Sequence, residues 1–289
     1  MTLGVPLIAT VGYASPEVGS VYQRARELCR LIGDTPDISE VLWGLWTFHT
    51  LRAELRTARE IAEEFLSLAA RLPYPGLAMR SHLAMEITFM HMGEVDSATG
   101  HFDKALSLYD PEQHREDAFI YAQHPGVAMR CFGAWALWFL GKPDTALERI
   151  HEALRIAHEL SEPHGLAHAH FFAAVLHQFR REGLLAEVHA KSALAVSVQH
   201  GLVMYEAMAT TMLGWALFDH GRLDSSIEHM NQGLSAHQAA GARVLLPHFW
   251  ALLAEVLGRD GQIDEGLRLL AEALDMTHRN GESYYEAEI

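Results

Sequence analysis

The chain of 289 residues repeats itself with a period of 40. Gly221-Arg-Leu-Asp224 recurs as Gly261-Gln-Ile-Asp264, and one period earlier Arg181-Glu-Gly183 stands in the same place. A further period back lies Gly141-Lys-Pro-Asp144. The next step is 48, to Gly93-Glu-Val-Asp96, and one more step of 40 reaches Ala53. Counted from these six turn residues, two columns fall into register. Five residues on stand Ala58, Ala98, Ala146, Ala186, Ser226 and Gly266, all small. Thirteen residues on stand Leu66, Leu106, Leu154, Leu194, Leu234 and Leu274. A fixed period of this length marks a stacked array, in which each unit buries its apolar face only against its neighbours.

Each unit reads as two helices. Before the turn runs an apolar segment with helical spacing, such as Tyr205 to Phe218, and after it a more polar amphipathic one, such as Leu223 to Ala240. Gly201, Gly241 and Gly281 follow the second helices, where a left-handed cap favours glycine. Asp96, Asp144, Asp224 and Asp264 open them, where a carboxylate suits the free N–H groups and the helix dipole. The small column is expected where the two helices cross closely, and the leucine column where each second helix meets the next unit. An excess of 8 residues before Gly141, marked by Asp110 to Asp117 and His124-Pro-Gly126, predicts a longer loop ahead of the third unit.

This arrangement resembles the tetratricopeptide repeat. Gly214, seven residues before Gly221, matches that family's close-contact glycine, and Ala134, Ala174 and Ala254 share its column. The period of 40 exceeds the usual 34, and Trp46 and Glu86 in that column make the first two units atypical. The expectation is an all-α, right-handed α-solenoid of about six helix-turn-helix repeats over residues 36–281. Residues 1–35 then hold the second half of an earlier repeat, and 282–289 the start of a seventh. Such cut ends would leave apolar surface open to self-association.

A finer resemblance rests on Tyr13-Ala-Ser-Pro-Glu-Val18, Arg24-Ala-Arg-Glu-Leu-Cys29, Leu42-Trp-Gly-Leu-Trp46, Tyr109-Asp-Pro-Glu-Gln-His114 and Gln178-Phe-Arg-Arg-Glu182. These segments are similar to the repeat region of large bacterial signalling proteins that join a nucleotide cyclase or kinase to a STAND-type ATPase. Fusion proteins of thiazole/oxazole-modified microcin clusters are one branch. The resemblance implies a regulatory sensor segment whose effector domains lie elsewhere in the polypeptide.

Composition narrows the function. The 22 Lys+Arg against 37 Asp+Glu give a charge of −15, with Lys104, Lys142 and Lys191 the only lysines, which argues against nucleic acid as a partner. The longest apolar run, Cys131 to Gly141, is too short for a membrane helix, and no secretory signal is visible. Two cysteines, Cys29 and Cys131, fit a reducing cytoplasm. No phosphate loop, dinucleotide fingerprint, zincin motif or nucleophile elbow occurs, so neither catalysis nor a cofactor is expected. Among 19 histidines, His164, His168, His170 and His177 have metal-like spacing but lack a second ligand cluster, and no metal is expected.

The expected site is the concave face. In tetratricopeptide arrays the first helices line it, and the positions implied there are Trp43, Arg80, Met90, Trp135, Trp138, Phe139, His168, Phe171, Gln178, Met208, Thr211, Trp215 and Phe218. Aromatic anchors in a concave wall suit a peptide or protein partner, or another domain of the same polypeptide. The alternative is a self-associating or intramolecular scaffold whose aromatics are simply core. A carboxylate clamp of the chaperone-tail kind is excluded, because Asn231, Asn280 and all three lysines fall outside the first helices.

Overall fold

A computed structural model describes residues 14–32, 38–72, 74–115, 117 and 123–289. The expectations for Tyr13, for residues 1–13 and 33–35 of the partial repeat, and for part of the long loop fall outside the described residues. Thirteen α-helices and no strand occur among those described. Helix α1 (Pro16–Ile32) comes first. Six hairpins follow. They are α2 (Ile38–Leu51) with α3 (Leu55–Arg71), α4 (Pro75–His91) with α5 (Val95–Leu108), and α6 (Pro125–Phe139) with α7 (Pro143–Leu160). Then come α8 (Pro163–Phe179) with α9 (Gly183–His200), α10 (Val203–Asp219) with α11 (Leu223–Ala239), and α12 (Leu246–Arg259) with α13 (Ile263–Asn280). A short 3₁₀ turn, Glu286–Glu288, lies beyond.

The hairpin turn explains the recurring sequence. All six turn residues adopt positive φ, from 55° at Ala53 to 86° at Gly261. Glycine enters that region without steric cost, so four of the six are glycine, while Ala53 and Arg181 carry the strain of a Cβ there. Helices α9 and α13 end on Gly201 and Gly281 in the same left-handed conformation. The aspartates sit in the first turns of α5, α7, α11 and α13, yet the cap positions make no side-chain bond to the backbone. Their contribution is charge against the dipole, not the N–H capping expected from sequence.

Packing confirms one column and revises the other. Ala58, Ala98, Ala146, Ala186 and Ser226 are fully buried, and Gly266 is buried with them at the hairpin crossing. Of the leucines only Leu154 and Leu234 are buried; Leu66, Leu106 and Leu194 are half-buried and Leu274 is 38% exposed. The close-packed position is one residue earlier, where Phe65, Ala105, Ala153, Ala193 and Ala273 are fully buried and Gly233 joins them. On the outer surface α9 stands apart. It exposes Leu184, Leu185, Val188 and Val198 where sister helices place residues such as Asp144 and Glu148.

The array coils tightly enough to meet itself. Arg243 and Val244 N–H donate to Leu51 O at 2.8 and 3.1 Å, joining the entry to the sixth hairpin to the first. The same contact recurs one period on, where Ser283 N–H donates to His91 O at 3.0 Å. The seam between successive turns of the coil is therefore as periodic as the chain. Residues beyond Gly281 fold across the inside, where Tyr284 and Tyr285 are buried.

Two histidine pairs bridge hairpins at matching register, His82 to His101 at 2.9 Å and His170 to His189 at 3.0 Å. Burial holds His101, His170 and His189 at about 4, so these imidazoles are neutral near pH 7. Among the described residues no group of three or more His, Cys, Asp or Glu is arranged to hold a metal ion. Cys29 and Cys131 are both buried and form no disulfide. No described helix is long and apolar enough to cross a membrane.

Candidate functional site

Inside the coil the first helices converge on a partly open cavity of about 100 Å³. Helix α2 supplies Trp43 and Trp46, α4 supplies Ile87 and His91, and α6 supplies Phe132 and Trp135. The opposite wall is His164, His168, Phe171 and Phe172 of α8 with Met204, Tyr205 and Met208 of α10. The seam closes it, bringing Val244 and Leu245 against Leu51.

The α8 wall follows from helical spacing. Glu162 caps the helix, its carboxylate accepting from His164 N–H at 2.8 Å and Gly165 N–H at 2.6 Å, and Pro163 takes the first position. His164, His168 and Phe172 then recur every four residues on one face. His168 stacks on Phe172 at 4.5 Å, Trp135 stacks on Phe172 from α6 at 4.1 Å, and Tyr284 stacks beyond Trp135 at 6.0 Å. One continuous aromatic stack thus links repeats four and three to the segment after α13. The Trp135 indole is satisfied by Phe172 O at 3.2 Å, and that of Trp46 by Thr88 Oγ1 at 2.9 Å.

Among the described residues that line the cavity there is no Asp, Glu, Lys or Arg. Its polar groups are hydroxyls, Gln123 and three histidines. Burial pushes His168 down to about 3, with His164 adding to the effect, and burial lowers His164 as well. Both are uncharged at neutral pH. His168 Nδ1 meets Tyr205 Oη at 2.8 Å, whereas His168 Nε2 and His164 Nδ1 are buried without a hydrogen-bond partner. Near the seam, Glu282 Oε1 accepts from Leu245 N–H at 2.8 Å and lies 3.5 Å from His91 Nδ1. This bond holds Leu245 at φ +69°, a left-handed conformation unusual for a branched side chain.

Of the thirteen residues expected on the concave face, Trp43, Trp135, His168, Phe171 and Met208 come together on the cavity. The others do not line it. Arg80 is buried in an ion pair with Asp117 at 2.5 Å, and Met90 and Thr211 are fully buried. Trp215 is also fully buried, a core residue where an exposed anchor was expected. Trp138 and Phe139 are half-buried around Phe179, and Phe218 is half-buried against the core. Gln178 is buried with its amide on His248 and Tyr285. Sequence reasoning missed Trp46, Phe132, Phe172 and Tyr205, which lie within one helical turn of Trp43, Trp135, Phe171 and Met208. It also missed Leu51, Val244 and Leu245, which only the seam brings in.

No family model matches the chain. An uncharacterised protein of Rhizobium meliloti strain 1021 is 26% identical over 295 residues, covering 99% of this chain. The chain spans 28% of that relative's length. Among solved structures, a Rap protein complexed with competence and sporulation factor superposes with a TM-score of 0.66 at 14% identity, over 98% of this chain and 78% of that one. NprR in complex with its cognate peptide NprX gives 0.63 at 12% identity, over 99% and 80%. The Cut9–Hcn1 assembly gives 0.54 at 17%, over 89% and 50%. The fold is a tetratricopeptide-type solenoid. At these identities the likeness establishes the solenoid alone, and function has to be argued from the cavity.

Proposed function

We propose that this solenoid is a non-enzymatic recognition module that takes an apolar stretch of peptide or protein into its inner channel. On this reading residues 36–281 form the working array, and it acts as a sensor segment of a longer bacterial signalling polypeptide. The observation that carries the proposal is the uncharged aromatic cavity, assembled from five first helices and the seam. Apolar walls with a few convergent polar groups are the usual make-up of a binding pocket. Support comes from Rap and NprR, each solved with a bound factor or peptide and superposing over nearly the whole chain. The length of the Rhizobium relative supports a larger parent. Selection from a displayed random-peptide library tests the reading. Peptides that bind the wild-type chain should lose at least tenfold in affinity against Met208→Trp, which fills the cavity, with circular dichroism confirming that the variant folds. Equal binding to both proteins would refute the channel as the site.

A second reading has its own observation. Tyr284 stacks on Trp135 and Tyr285 lies 3.9 Å from the His248 ring, so the chain's own residues occupy part of the inside. Here the channel is closed by intramolecular packing and the array serves as a scaffold. Failure of any peptide to be selected, with the seam intact by hydrogen exchange, would favour it.

A further inference from the structure

The inside of the coil uses one arrangement twice and completes it once. His168 and His248 stand in the same column, two periods apart, each thirteen residues before its turn residue. Each points Nδ1 at a tyrosine hydroxyl from the repeat that follows, His168 at Tyr205 (2.8 Å) and His248 at Tyr284 (2.9 Å). His248 Nε2 then meets Gln178 Oε1 at 3.0 Å. A neutral imidazole has one donor and one acceptor, and an amide oxygen only accepts. Nε2 of His248 is therefore the donor, and its Nδ1 accepts from Tyr284. The other end of the Gln178 amide donates to Tyr285 Oη at 3.4 Å.

His168 repeats every part of this except the last. It is only 3% exposed, its Nδ1 is on Tyr205, and its Nε2 has no partner. With Tyr205 Oη donating to Nδ1, as Tyr284 Oη does to His248, Nε2 of His168 carries the proton, and a donor left unpaired in an apolar setting is costly. Unlike His248, His168 lines the cavity, with the aromatic faces of Phe172 and Trp135 beside it. The difference between the two histidines is the amide oxygen that Gln178 brings to one of them.

We infer that a bound ligand brings the equivalent oxygen to the other: a peptide backbone carbonyl accepts from His168 Nε2–H while the neighbouring uncharged side chain fills the cavity. The inference rests on the channel reading above and specifies its ligand. A carboxylate or ammonium would enter a wall without a counter-charge, and desolvation selects against both. A purely apolar group would fill the space and leave the imidazole unpaired.

Four probes of similar size test this on the wild-type chain by titration calorimetry at pH 7.5: benzamide, toluene, benzoate and benzylamine. Benzamide should bind saturably, and benzoate and benzylamine at least tenfold more weakly. In His168→Phe, which keeps a ring in place, the ratio of benzamide to toluene affinity should fall about tenfold. Histidine ¹⁵N NMR of the wild-type chain gives a reading that needs no variant. There benzamide should shift the Nε2 resonance of His168 and toluene should not. Saturable benzamide binding with an unchanged ratio or an unmoved resonance overturns the inference, as does benzoate binding as tightly as benzamide, or no binding at all. Peptides that depend on the Met208 cavity but not on His168 would leave the channel reading standing and remove this one. Benzamide bound through His168 with no peptide ever selected would do the reverse.

Discussion

Gly233→Ala and Gly100→Ala make the same chemical change in second helices and should move stability in opposite directions. At Gly233, on α11, an added Cβ would lie 2.6 Å from Ala207 O and 2.7 Å from Thr211 N, both backbone atoms of α10. Ordinary contact begins at 3.4 Å, so α11 would have to move away by roughly 0.8 Å, at a cost of about 1–3 kcal/mol by analogy with overpacked cores. The better helix propensity of alanine returns about 1 kcal/mol. Because the clashing atoms are backbone and cannot swing aside, the upper part of the overpacking range applies, about 2–3 kcal/mol, and the net expectation is a loss of about 1–2 kcal/mol. At Gly100, on the exposed side of α5, a Cβ would meet nothing within 4 Å, and only the gain of about 1 kcal/mol remains. Urea denaturation followed by far-UV circular dichroism should put the two midpoints on opposite sides of wild type. If Gly233→Ala matched or exceeded wild type, or Gly100→Ala fell below it, the close-crossing account of the hairpin would be wrong.

Two further outcomes are expected. Burial holds His168 and His248 at about 3 and His237 at about 4, against an ordinary 6.5. Acid therefore protonates the unfolded chain first. Stability is full above about pH 6.5 and falls towards pH 4, by roughly 2 kcal/mol for each of these groups at pH 5, and His248→Phe should flatten the midpoint-against-pH curve. Glu86 is fully buried, neither carboxyl oxygen has a hydrogen-bond partner, and burial raises its pKa well above the usual carboxylate range. Glu86→Met should stabilise the chain by about 1–3 kcal/mol at pH 7.5, judged from replacements of buried charge. That gain should shrink as pH falls through the ordinary 4.5 towards about 3.5, where the acid is largely neutral in both states; an equal gain at pH 7.5 and at pH 3.5 would contradict the assignment.

What could be read from the chain was whatever a single hairpin decides. The turn residues, the helix pair and the small column all answer to contacts within one period, and each is spelled out in every copy. Ala146 is small because α6 and α7 cross there, whatever the rest of the array does. The inner face was legible only in part, because it depends on how tightly the hairpins coil. In a wide coil Trp215 would border open space, but here it is fully buried. Leu245 enters the cavity wall only because the sixth hairpin returns to the first, a consequence of small rotations summed over the array that no local pattern encodes. The leucine column misled for a related reason. Its residues sit at the margin of the packed stripe, and the adjoining alanines, less conspicuous as residues, make the close contact. His168 was expected on the concave face and was also noted for its metal-like spacing to His164; its place on the cavity agrees with the first, and its ring contacts are explained by Tyr205 and by comparison with His248.

The seam between Leu51 and Arg243 is made by backbone groups separated by every interface of the first five hairpins. It registers the sum of the rotations between them, while any one interface registers only its own. A hydrogen bond tolerates a few tenths of an ångström of stretch. A twist too small to disturb the packing at any single hairpin can, when added along the array, move Arg243 beyond reach of Leu51. The coil is therefore built like a vernier: a slight rotation shared among the hairpins would be read out at the seam, at Leu51 and, one period on, at His91.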